Sequence, residues 1–395
     1  NQIGLSEALG GVGQLGLLDG IRNSLVSVLS NLVDDVGSQI NLPSLPTLVG
    51  GMEVEGVGQL IVDGAIIVNN KWGGQDERGV FCGIAAGPPH AMSCTPLLPT
   101  TLVRANDIRV VGGVDVPAYY QPTTAGQPSP LRANRLPTPD PLEALPPPST
   151  SIDSANVSSA VGGGHVVRIN VLSVSSIVQP LLGVLWPVLK PVLEPALTPI
   201  FVSTPLTPGV YDSITVLSLG EFKFEPGVYV IRNKSPITGI SLSVVGGRIT
   251  ADDVMFYVTD SAAYSAVNGS PDAGDAPEAE APPLVGSVLP SVLLAPLLAG
   301  TIVSGINDSG SPFDGMFIYQ RRMDRRPIII AAPQLLGGDL AGTVYARSGH
   351  LTFLSGQGVY DLRLVCGTLR IVTLGDTTFS PQELLAPAKD VFLID

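Results

Sequence analysis

The sequence predicts a mainly β chain wound as a parallel, right-handed β-helix, with an N-terminal amphipathic helix and two proline-rich apolar insertions. Three observations predict it. The first is a repeat: Thr207-Pro208-Gly209-Val210-Tyr211 returns eighteen residues later as Glu225-Pro226-Gly227-Val228-Tyr229, a period that suits one coil of a solenoid. The second is the wealth of turn formers, 45 Gly and 36 Pro in 395 residues, which favours many short strands over long helices. The third is the pattern of the apolar runs. They are short, separated by Gly, and rarely alternate strictly, which favours stacked coils over a two-sheet sandwich.

Taken in order, residues 1–50 form a helical segment. Leu18, Ile21, Leu25, Val28, Leu29, Leu32 and Val36 recur at three- and four-residue steps, placing one apolar face on a helix over about 15–36. Residues 51–116 change period and read as a first β-coil region, with short runs at 52–55, 59–63, 65–69, 108–111 and 114–116. Residues 117–150 hold ten prolines between Pro117 and Pro148 and read as an extended, solvated linker. Residues 151–395 form the main β-helix domain, with strands at 242–245, 254–259, 316–320, 343–346, 351–354 and 369–374. Two insertions interrupt it, at 177–205 and 262–311. The first spaces five prolines about four residues apart among apolar side chains, and the second runs from an acidic tract into an apolar one.

Composition narrows the function. Charged residues are 14% of the chain, against roughly 25% in an average soluble domain. Such an uncharged surface suits a protein packed against copies of itself. The net charge of −13 disfavours nucleic acid and anionic membranes as partners. The chain starts at Asn1 with no charged-then-apolar leader, as expected after trimming. The longest uncharged stretch, 281–306, is broken by four prolines and does not read as a membrane span. With three cysteines, no metal-ligand spacing arises. Cys82 and Cys94 are either a disulfide pair in an exported chain or, with Cys366, unpaired buried thiols.

Candidate chemistry is sparse. Asp252 and Asp253 are adjacent, so on a strand they point opposite ways. Arg321, Arg322, Asp324, Arg325 and Arg326 form the densest charge cluster, read as a solvated turn with local pairing or as a site for an anionic sugar or acidic tract. His90, His165 and His350 are far apart, lack Ser or Cys partners in any known motif, and read as structural. The oxygen-rich run 69–77 lacks the Asp-x-Asp-x-Asp-Gly ladder of a calcium loop. No catalytic, cofactor or metal site is expected.

Several segments together resemble a known family. Ile61–Asn70 is similar to the "gG-ai-VNs" strand of bacterial TadG-like proteins (TadE/TadG, tight-adherence pilus-assembly-like). Asp140–Pro146 resembles their "DPLAGLPAP" boundary. The coils at Leu206–Tyr211 and Phe224–Tyr229 resemble the paired "L-x-PGVY" units. Val254–Thr259, Gly315–Arg322 and Leu340–Ala346 resemble "GVTFYLT", "GILFFQDR" and "LTGTIYFP". The segments fall in order between about residues 56 and 379. The resemblance implies a protein of the bacterial cell surface or extracellular space. Members usually carry an N-terminal transmembrane segment that is not in this sequence, so membrane attachment is expected only through such an anchor or a partner.

The expected function is a structural subunit of a surface assembly (filament, pilus-like or pore-like appendage). It would associate with copies of itself and with other assembly subunits. The expected joints are Leu18, Ile21, Leu25, Leu29 and Leu32 on the helix, Leu185, Trp186, Val188, Leu193 and Phe201 in the first insertion, and Leu289, Leu293 and Leu297 in the second. A glycan-binding adhesin and a β-helix carbohydrate-active enzyme are the alternatives. The first needs a groove of exposed aromatics and the second converging carboxylates.

Overall fold

The computed structural model describes residues 50–97, 101–146, 148, 164–170, 187, 190–191, 205–259, 289–296, 300–332 and 340–382. The predicted helix, residues 98–100 and most of both insertions lie outside them. Every ladder between named strands is parallel, and together they build a β-solenoid.

Each rung runs along three faces. On face A the ladder stacks, in spatial order, 165–170, 213–218, 242–246, 292–295, 328–332, 350–355 and 368–373. It then continues with 52–56 and 92–96, and Val114 bridges Met92 to start a last rung. Face B carries 221–223, 248–251, 302–303, 358–360, 377–379, 60–62, 103–105 and 120–122. Face C carries 209–211, 227–231, 254–258, 316–320, 343–346 and 361–366, with 65–68, 107–110 and 131–132 on the later rungs. The described residues thus form ten rungs, about 43 Å of stack at the ~4.8 Å strand spacing. The first three rungs of the sequence are the last three of the stack. Rungs 8 to 10 (52–132) sit on the C-terminal rung 7 (368–379), while rung 1 begins at His165.

The eighteen-residue repeat does mark one coil. Leu206 pairs Phe224 and His350 pairs Thr368, each eighteen apart. On face C the offset is twenty, as in Gly209 with Tyr229 and Ala341 with Asp361. The Pro-Gly pair turns the corner from face B to face C, where five successive rungs hold a residue at positive φ: Gly209 (157°), Gly227 (129°), Asp253 (59°), Gly315 (73°) and Gly342 (122°). Gly takes that geometry without a Cβ clash, and Asp tolerates it. The tyrosine closing each Pro-Gly-Val-Tyr unit fixes the turn from inside. Tyr229 donates to the Glu225 carbonyl at 2.7 Å, Tyr211 likewise to the Thr207 carbonyl, and the two rings stack at 6.1 Å.

The lumen is filled by inward side chains of all three faces. An aromatic column, Phe224–Phe256–Phe317, runs through rungs 2 to 4 with ring centres 5.2 and 5.7 Å apart, each contact contributing about 0.5–1.5 kcal/mol beyond burial. Face C is buried on its outer side too. Val228, Met255, Tyr257, Met316, Tyr319 and Tyr345 form a second core, closed over by Ile306, Phe313, Leu142 and Leu145.

Two domain boundaries shift accordingly. The expected linker 117–150 is not all linker: Tyr120–Pro122 and Leu131–Arg132 are strands of rung 10. The apolar end of the second insertion is not an insertion either, since Val292–Ala295 and Ile302–Val303 are ladder strands of rung 4. Both had enough proline or apolar run to mask a two- to four-residue strand.

Candidate functional site: a docked strap and the junction it ties

From rung 10 the chain returns along the outside of the stack as a strap. It is pinned first at rung 8, where Asn69 Nδ2 donates to the Thr138 carbonyl and Thr138 N donates to Asn69 Oδ1, at 2.5 and 2.9 Å. It then reaches the outer core of face C, at Arg322 and Tyr345.

Arg322 follows the strand Met316–Gln320 and is fully buried. Its Nη2 donates to the carbonyls of Leu145 (2.7 Å), Leu142 (3.1 Å) and Glu143 (3.4 Å). Its Nε donates to Tyr345 Oη at 3.0 Å, and Tyr345 donates onward to Asp140 Oδ2 at 2.9 Å. The guanidinium carbon stands 5.9 Å and 5.6 Å from the Tyr319 and Tyr345 ring centres, within cation–π range. Burying this cation is offset by the strap's carbonyl dipoles and by Asp140 through Tyr345. Burial drives the Tyr345 hydroxyl well above its ordinary pKa, and Asp140 adds to the shift while Arg322 opposes it. The strap meets Arg322 with carbonyls alone, and proline, which lacks only the N–H, does not weaken that contact.

The neighbouring charges are also internal. Arg326 and Asp324 form a bidentate pair, Nη2–Oδ2 2.7 Å and Nε–Oδ1 3.1 Å, at 5% and 6% side-chain exposure. Arg326 Nη1 reaches Ser241 Oγ of rung 3, and its carbonyl accepts from Gln320 Nε2. Asp324 and Arg326 thus pair locally as the sequence suggested, but Arg322, Asp324 and Arg326 are buried, which overturns the solvated part of that reading. The structure spends these charges on joining rungs and strap.

The second feature is the junction between rungs 7 and 8. Residues 52–56 pair with 369–373, and 60–62 with 377–379. Gly56 and Gly58 make it possible, because a Cβ would lie 1.9 Å from the Thr373 carbonyl oxygen at one and 2.1 Å from that of Gly375 at the other. Arg370 Nη2 contacts Glu55 Oε1 at 2.5 Å and its Nε stands 3.7 Å from Glu53. Burial pushes the Glu53 carboxyl up while Arg370 pulls it down. Gln59 N donates to Asp376 Oδ1, and Thr373 Oγ1 to the Gly58 carbonyl.

Of the expected joint residues, Leu18, Ile21, Leu25, Leu29, Leu32, Leu185, Trp186, Val188, Leu193, Phe201 and Leu297 lie outside the described residues. Leu293 is buried in its own ladder strand, which removes it as a joint. Leu289 is 48% exposed, beside Gly239. Cys82 and Cys94 are free thiols, so the disulfide gives way to the unpaired reading, although only Cys94 is buried and Cys82 and Cys366 are half-buried. Cys94 points into the lumen, with its thiol pushed up to about 12 by burial, while Cys82 Sγ donates to the Gly112 carbonyl. The Cys366 thiol is likewise pushed up to about 12 by burial.

The oxygens of 69–77 are engaged by the chain itself. Asn69 holds the strap, Asp76 Oδ1 caps the N–H groups of Arg78 and Val80, and Glu77 accepts from Ala133 and Arg135. Asp252 and Asp253 serve the corner above rung 3 through Ser304 and Asn307. His350 is held between Thr368 and Thr352 at 2.7 and 3.1 Å, its pKa lowered to about 4 by burial and by Arg370. A void in the lumen is lined by Phe224, Val244, Phe256, Leu294, Phe317 and other largely apolar neighbours, the lining of a dry cavity.

Among the described residues, no helix is long and apolar enough to cross a membrane. In comparisons with known proteins, no family model, no curated protein and no solved structure matches the chain.

Proposed function

We propose that this protein is a structural subunit of a bacterial cell-surface assembly and that it associates with copies of itself. The observation that carries the reading is where apolar side chains meet solvent. Of the eleven large apolar residues exposed among the described ones, seven (Ile67, Val80, Phe81, Ile84, Leu97, Val116 and Leu136) belong to rungs 8 to 10 and the start of the strap. Val359 and Leu374, on rungs 6 and 7, are exposed as well. Phe81 is 81% exposed, on a loop that also shows Val80 and Ile84. A stretch of this kind on a stiff, weakly charged rod suits burial against a second copy. Two further supports are the resemblance to TadG-like surface proteins and the engagement of the densest charge cluster in internal contacts. The reading assigns the protein a mechanical role and no reaction.

The test is electron microscopy with mass determination on native material, beside a variant carrying Val80→Ser, Phe81→Ser and Ile84→Ser. Ordered assemblies that the triple variant fails to form support the reading. Monomers of native protein at high concentration overturn it.

A further inference from the structure

The stack is continuous, but the chain that builds it is not. Rungs 8 to 10 are joined to rungs 1 to 7 covalently only through the 32 residues between Arg132 and His165. Among the described residues, their remaining attachment is the rung 7–rung 8 junction and the strap's contacts. That junction has the parts of an interface between separate bodies. It has a full parallel ladder on two faces and apolar closure by Met52 and Val54 against Leu369 and Ile371. It also has a charge clamp of Arg370 on Glu53 and Glu55, and glycines shaped to the opposing carbonyls. Nothing in these contacts requires that both sides belong to one chain.

We propose that this junction is exchangeable: rungs 8 to 10 of one copy stack on rung 7 of a second copy, so that the partner of this surface is another molecule of the same protein. The contacts are identical in either arrangement, so only chain connectivity separates them. Within one molecule the strap sets an effective concentration in the millimolar range for a flexible tether. Exchange therefore rises where copies are crowded, as on a surface. With the strap's contacts at 138–145 kept, the crossing falls to residues 147–164, and at about 3.3 Å per residue these reach roughly 60 Å, longer than the stack. Reciprocal exchange closes a dimer, and serial exchange propagates head to tail. The far end of rung 10 does not compete, because Pro122 within one of its strands and Pro130 just before the other remove ladder donors. This inference rests on the self-association reading and names the contact that would carry it.

The register supplies the test, since Glu55 lies opposite Val372 across the junction and both are half-buried. Glu55→Cys and Val372→Cys are made singly and together, with Cys82, Cys94 and Cys366 replaced by Ala. The double variant should close an internal disulfide on mild oxidation. The two single variants, unfolded, mixed and refolded at about 100 µM, should give a covalent dimer. Its 55–372 linkage is identified by mass spectrometry, and its yield should rise several-fold over a ten-fold increase in concentration. Internal closure of the double variant with no mixed dimer above that of each single variant alone would overturn the proposal. A double variant that fails to close overturns it as well, because the junction itself is then wrong. Native material that assembles in the microscope while mixed dimers stay absent removes exchange and leaves self-association standing. Native monomers remove both.

Discussion

Rungs 8 to 10 and rungs 2 to 5 share one backbone plan and differ in what covers their outer side. In the N-terminal rungs burial alternates: Met52–Gly56 and Val103–Val110 bury about every second residue and leave the others partly or fully exposed. In the body, Gly227–Ile231, Val254–Val258 and Met316–Gln320 are buried at every position. The cause on face C is the second core under Leu142, Leu145, Ile306 and Phe313. The lumens differ as well. Val54, Leu60, Ile66, Val103, Ala105 and Ile108 fill the N-terminal rungs, while the body adds Phe224, Tyr229, Phe256 and Phe317. A solenoid coil thus needs only one apolar side to stack, and a second apolar side records an added layer.

The largest expected effect comes from stripping that layer. Arg322→Leu removes the cation that gathers three strap carbonyls and leaves Tyr345 and Asp140 without it. A loss of about 3–5 kcal/mol is expected, as for breaking a buried charge network. Chemical denaturation measures it, and limited proteolysis should find a new cut near 138–146. Equal resistance of the strap in variant and wild type would mean that the outer layer does not depend on Arg322.

The body should also answer to acid through His350. Its pKa is lowered to about 4 in the folded chain, against ~6.5 unfolded. The folded state favours the neutral ring, so this contribution is fully present above pH ~6.5. It is lost as pH falls toward 4, by about 3 kcal/mol in all. His350→Gln should shrink the fall in denaturation midpoint between pH 7 and pH 4.5. Parallel curves for variant and wild type would remove the ring from the account.

How much of this was legible depends on whether the cause is local. The Pro-Gly-Val-Tyr turns were, because a positive-φ corner and its tyrosine sit within five residues. So were the short apolar runs at 242–245, 254–259, 316–320, 343–346 and 351–354, which mark strands, while Ile328–Ala332, behind the charged run 321–326, was not legible. Nor was the order of the rungs. Pairing of 52–56 with 369–373 is set by which edges remain open, and no residue announces it. The fate of Arg322 was hidden for the same reason, since its carbonyl partners lie about 180 positions away and it stands in a run dense in charge. Sequence spacing suggested Cys82 with Cys94, but the ladder turns Cys94 inward and leaves Cys82 on the loop.

A smaller effect is expected at the junction between the two regions. Arg370→Ala leaves Glu53 and Glu55 together without their cation. At 13% exposure for Arg370, about 1–2 kcal/mol is expected, more than for an open surface pair. The loss should unfold rungs 8 to 10 first, because their lumen holds Tyr120 but no aromatic column like Phe224–Phe256–Phe317, and their strands are buried on one side only. Hydrogen exchange resolves this: faster exchange at 52–68 and 103–110 than at 242–258 fits a separable unit, and uniform acceleration would make the stack one cooperative body.

The smallest stability effect belongs to the most exposed side chain. Phe81→Ser takes a ring from water to water, so the monomer's denaturation midpoint should stay within about 0.5 kcal/mol. Its consequence should fall on association instead. If N-terminal rungs bear apolar groups because a second copy covers them, sedimentation at rising concentration should show the variant assembling several-fold more weakly. A variant that loses stability but associates unchanged would turn the comparison around. The bare outer side of rungs 8 to 10 would then be a finished surface, and the exposed ring part of the loop's own fold.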